Sequence, residues 1–179
     1  MRFNLIATTH RGLEHEASSE LFELLNQIGD EYPDIIKTGI LGLLVANTNL
    51  EPLKVIEEVR RIVIEDPLRI RYILRIIPID AVVETNTEKI VEAVSNFTKR
   101  IDKEESFRIT VEKRRTNLSS SEIIHSVAKI IDRHVNLEKP DWIVLIEIIG
   151  KFTGVSVLKP DQILNVIKII REGALNRGF

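Results

Sequence analysis

The sequence has no cysteine, a single methionine and a single tryptophan among 179 residues. Without cysteine, disulfides, thiolate nucleophiles and Cys-ligated zinc are excluded together. Long apolar runs are also missing: a helix needs roughly 20 consecutive apolar residues to cross a bilayer, and no stretch approaches that, so no membrane partner is expected. MRFNLIATTH carries no apolar signal region with a small-residue cleavage site, so a cytoplasmic home is expected. No P-loop, no GxGxxG after a strand and no GxSxG occurs. His125 and His134 are nine positions apart, about 180° around a helix, and cannot share a metal. His10 and His15, beside Glu14 and Glu16, are a weak metal pair. Acidic pairs such as Glu57–Glu58 and Glu104–Glu105 suit solvated faces. No catalytic constellation forms, so an enzyme, a cofactor and a metal are not expected.

What is present is charge with an uneven distribution. Charged residues make up 29% and hydrophobic ones 44%, ordinary for a globular chain. Abundant Ile and charge with one Met lean toward a thermophile. The net charge is only -2, yet residues 1–66 hold 6 Lys+Arg against 12 Asp+Glu, while residues 67–179 hold 19 against 15. The basic excess is confined to the second part, which suggests a polyanion-facing surface there.

Hydropathy periods organise the chain. FNLIATT (3–9) reads as a strand, and residues 12–29 as a helix with Leu13, Ala17, Leu21, Leu24, Leu25 and Ile28 on one face and Gly29 as its stop. Residues 35–48 read as two strands turning near Gly39 to Gly42. Residues 51–67 read as a helix opened by Pro52, and 68–78 as a strand with Arg69, Arg71 and Arg75 alternating on one side. This βαββαβ order over residues 1–78 is ferredoxin-like. Residues 79–179 are expected to form a second α/β domain with helices at 87–101, 119–134 and 161–176 and strands at 107–115, 142–150 and 152–158. WIVLIEIIG is apolar along nearly its whole length, as a strand covered on both faces is.

The strongest local feature is VEKRRTNLSSSEIIHSVAKIIDRH. Lys113, Arg114 and Arg115 end a strand; Ser119 followed by Glu122 forms a capping box that starts a helix. A helix N-terminus offers unpaired N–H groups and positive dipole charge, both favouring an anion. Thr116, Ser119, Ser120 and Ser121 add hydroxyls, and His125, Lys129 and Arg133 at i, i+4 and i+8 predict a polar stripe opposite Ile123, Ile124, Val127, Ile130 and Ile131. Glu122 competes for the same N–H groups.

With these residues laid out, residues 80 to 160 resemble the THUMP domain of tRNA-modifying enzymes. The matching stretches are FRITVEKRRTNLSSSEIIHSVAKII, then HVNLEKPDWIVLIEI, then TGVSVL, with Val135-Asn136-Leu137 and Pro140-Asp141 as the most recognisable signature. THRGLEHEASSEL and TGILGLL are similar to the ferredoxin-like domain that often precedes it. Within that family the chain is most similar to the stand-alone, TAN-type adaptor of tRNA cytidine N4-acetylation. The resemblance implies a non-catalytic protein that presents tRNA to a separate acetyltransferase or other modification enzyme. It implies RNA contacts at Lys113, Arg114, Arg115, Ser119 and Ser120, with Lys129 and Arg133 as additions. Asn136, where the family often has Asp, and Pro140 read as turn and packing residues. A dimeric ligand-sensing or protein-interaction module is the alternative, and a homodimer stays open.

Overall fold

In a computed structural model of the chain, which describes residues 1–176, two compact units form: Arg2–Pro78 together with the segment from Gln162 onward, and Ile79–Asp161. The first contains β1 (Leu5–Thr9), α1 (Glu14–Ile28), β2 (Asp34–Lys37), β3 (Leu43–Asn47), α2 (Pro52–Glu65) and β4 (Ile73–Pro78). The second contains β5 (Ala81–Glu84), α3 (Thr87–Ser95), β6 (Ser106–Arg114), α4 (Ser120–Ala128), β7 (His134–Val135), β8 (Trp142–Ile149) and β9 (Phe152–Leu158). The chain then returns to the first unit as β10 (Leu164–Asn165) and α5 (Val166–Asn176).

Apolar spacing sets the first unit. Ala17, Leu21, Leu24 and Leu25 of α1 and Val55, Ile56, Val59 and Val63 of α2 are buried on one face of each helix and share a core with Leu5, Ala7, Leu44, Ala46 and Ile76 of the sheet. All neighbours in this sheet are antiparallel, in the order β10-β4-β1-β3-β2, so its first four strands follow the ferredoxin-like βαββαβ arrangement. Gly29 takes the left-handed conformation (φ 115) that closes α1, its N–H bonding back to Asn26 and Leu25 carbonyls. Two carboxylates hold the connections. Glu14 accepts N–H groups from Gly12 at 3.1 Å and Gly42 at 2.6 Å, and these bonds, Gly42's first, hold its carboxyl below the usual range. Glu20, buried on α1, accepts the N–H groups of Arg71, Tyr72 and Ile73. That bonding fixes where β4 begins, so Arg69 and Arg71 precede the strand instead of alternating along it.

The expected division, with residues 79–179 as one domain, is corrected at its C-terminal end. Leu164 pairs with Ile76 on the edge of β4, and Leu164, Val166 and Ile169 are buried in the first unit's core. An open sheet edge and an unfilled core side draw this segment back.

The second unit is a mixed sheet in the order β5-β9-β8-β6-β7, with β6 parallel to both β8 and β7. Helices α3 and α4 pack on one face, burying Ile90, Val94, Ile123 and Val127 against Phe107, Val144, Ile146 and Val155. Every residue of β8 is buried, including Glu147, as its nearly continuous apolar run predicts for the strand as a whole. Among the described residues no helix is long and apolar enough to cross a membrane.

Candidate nucleic-acid interface

Strand β6 delivers Lys113 and Arg114 to the end of the sheet where the parallel strands finish. Arg115 follows with φ 55, the one non-glycine residue among those described with positive φ. L-residues pay about 1–2 kcal/mol for that conformation. The chain thereby reverses, and Thr116 Oγ1 accepts from Leu118 N–H at 3.2 Å while Lys113 Nζ donates to the Leu118 carbonyl at 2.9 Å. Ser119 caps α4, its hydroxyl accepting from Glu122 N–H at 3.4 Å and lying 2.8 Å from Ser121 Oγ. The reciprocal half of the capping box, Ser119 N–H to the Glu122 carboxylate, is not formed among the described residues, and Glu122 is exposed.

The structure divides the seven expected residues into two groups. Lys113, Arg115 and Lys129 are exposed, and Ser119 and Ser120 are half-buried at the helix start. Arg114 and Arg133 are turned to internal work. The Arg114 guanidinium lies 2.7 Å from the Glu147 carboxylate, whose side chain is 1% exposed. Arg133 donates through Nε to the Ile101 carbonyl at 2.9 Å and through a terminal nitrogen to the Asp132 carbonyl at 2.6 Å. The predicted stripe through His125, Lys129 and Arg133 does not form, because α4 stops at Ala128. Its last turn tightens through bonds from Ile130 N–H to Val127 and Ile131 N–H to Ala128. Ile131 then enters the core, whereas Ile124 and Ile130 are 38% and 39% exposed. Glu147 was the sequence signal for its ion pair: a lone carboxylate in an otherwise apolar buried strand requires a cation.

The Asn136–Asp141 segment is architectural, as its sequence suggests for Asn136 and Pro140. Asn136 Oδ1 accepts from Glu138 and Lys139 N–H groups, forming a side-chain-closed turn. Asp141 accepts from Ser106 Oγ at 2.6 Å and Ser106 N–H at 2.8 Å, fastening the start of β6 to the start of β8. Those bonds, the hydroxyl's first, hold the Asp141 carboxyl below its ordinary 3.8. A depressed carboxyl stabilises the fold at pH values above the ordinary one and loses that contribution as pH falls through the depressed value. Asp141→Asn is therefore expected to lower the urea midpoint at pH 7, with the gap from wild type closing as the titration is moved well below pH 3.8.

Fold and site together define a ferredoxin-like unit joined to a mixed α/β unit with a basic strand-to-helix junction. A THUMP domain is present: its family model matches residues 84–158, which contain the whole junction. Solved structures share the arrangement. PH1313 from Pyrococcus horikoshii aligns with TM-score 0.64 and 19% identity over 88% of this chain and 55% of its own. TrmN from Thermus thermophilus aligns with TM-score 0.58 and 18% identity over 89% and 47%. A 4-thiouridine synthetase, solved with RNA and ATP, aligns with TM-score 0.55 and 10% identity over 92% and 42%. At these identities the likeness is one of fold, and the chain spans about half the length of these proteins. No curated protein sequence matches it.

Proposed function

We propose that this chain binds tRNA through the β6–α4 junction and acts as a non-catalytic adaptor that presents tRNA to a separate modification enzyme, a cytidine N4-acetyltransferase in its most specific form. The observation that carries the reading is the pair of exposed cations, Lys113 and Arg115, at that junction of a THUMP domain. Support comes from the structural neighbour solved with RNA and from the basic excess of residues 67–179. Ser119 and Ser120 supply hydroxyls at the start of α4, and Lys129 extends the charge along its exposed side. Recognition by such a surface depends on phosphate geometry and RNA shape more than on base identity. In this reading the chemistry belongs to the separate modification enzyme.

The test is a binding titration against tRNA and an unstructured RNA of equal length at two salt concentrations. Preferential tRNA binding that weakens steeply with salt is expected. Equal affinity for both RNAs, or no binding, overturns the reading; co-purification with an acetyltransferase tests its most specific part.

A further inference from the structure

The basic cluster occupies one loop of the sequence, but the sheet brings a residue from far along the chain to the same place. Gly150 and Lys151 form the turn between β8 and β9, with Gly150 at φ 60. Glycine at the first central position, followed by a residue of negative φ, is a type II′ hairpin turn. Gly150 N–H donates to the Arg114 carbonyl at 2.9 Å, and the Lys151 carbonyl accepts from Thr85 N–H at 2.9 Å. The register agrees, pairing Arg114 with Ile149. Lys151 is exposed and thus sits beside the chain reversal at Arg115.

We propose that Lys151 is part of the RNA-binding surface, and that this surface is a track for successive phosphates of one strand, not a pocket for a single phosphate. This rests on the reading of the domain as an RNA binder. Strands lie about 4.8 Å apart, so from β6 across β8 to the start of β9 the cation-bearing positions are spread over roughly 10 Å of sheet edge. Cations spread along an open edge suit successive phosphates of a strand better than one enclosed phosphate. The track stops at β5, whose last residue, Glu84, is acidic and pairs with Lys89 of α3. Lys139 provides the control. It is also exposed, but it precedes Pro140 and Asp141 at the opposite end of β6, nine residues and roughly 30 Å of strand away.

Fluorescence anisotropy with labelled tRNA at two salt concentrations tests this, comparing Lys151→Glu, Lys151→Arg and Lys139→Glu with wild type. Lys151→Glu is expected to weaken binding roughly ten-fold and to reduce the salt slope by about one. Lys151→Arg should retain binding, and Lys139→Glu should match wild type. If Lys151→Glu binds as wild type does while reversal of Lys113 and Arg115 weakens binding, the track is wrong and the RNA-binding reading stands. Equal losses from Lys151→Glu and Lys139→Glu mean diffuse attraction and also overturn it. A wild-type protein that ignores tRNA overturns both ideas together.

Discussion

Reversing Lys113 and Arg115 together is expected to lower tRNA affinity on the order of a hundred-fold at low salt and to remove about two units from the salt slope. In the proposed interface each of these cations would meet phosphate as a charge-assisted donor, an interaction of roughly 1.5–3 kcal/mol. Both are exposed, so their reversal leaves the core untouched, and circular dichroism should report an unchanged fold. Lys113 does hold the Leu118 carbonyl, so a Lys113→Met variant separates loss of that tether from loss of charge. Arg115→Gly is the sharper probe. Glycine adopts φ 55 without the penalty that arginine carries there, so this variant should be more thermally stable and yet bind tRNA less well. Retained affinity in both the double reversal and Arg115→Gly would remove the junction from the interface.

Arg114→Ala is expected to cost up to roughly 3–5 kcal/mol of stability, because it removes the cation that lies 2.7 Å from the Glu147 carboxylate buried in β8. Against a typical domain stability of about 5–15 kcal/mol, that loss leaves a domain at the low end of the range partly unfolded. A fall in RNA binding by Arg114 variants is then expected to follow from the loss of folding. The double variant Arg114→Met with Glu147→Leu should recover most of the loss in urea titrations, since an apolar pair of similar volume replaces a desolvated ion pair. If Arg114→Ala keeps wild-type stability and loses RNA affinity, the arginine serves ligand and not fold.

Long periodic elements were legible in the sequence, and short or distant pairings were not. The faces of α1 and α2 follow from apolar spacing, and β8 from an apolar run too short for a helix bundle and flanked by turn residues. β5, β7 and β10 are only four, two and two residues long, so no period exists in them to read. The end of α4 was missed because AKIIDRH continues a helical pattern, while the demand that Ile131 and Arg133 reach the core and the Ile101 carbonyl is tertiary. At the candidate site the charged cluster and the cap at Ser119 were legible. Which arginine is exposed and which pairs with Glu147 was not, because only the sheet register puts Arg114, the last residue of β6, on the face of Glu147, while Arg115 lies beyond the strand in the reversal. Lys151 was hidden for the same reason: it joins Arg115 through pairing across 36 positions of chain.

The return of β10 and α5 to the first unit has a consequence for the order in which the protein is made. Synthesis runs from the N-terminus, and domains fold as units while it proceeds. When residues 79–161 have emerged, the second unit has all of its own segments, but the first still lacks Leu164, Val166 and Ile169 from its core. Those three side chains stabilise it by roughly 1.5–3 kcal/mol each on burial. Of these two units, the one whose strands come first in the sequence is thus completed second, after the THUMP unit that is inserted in sequence between its two segments.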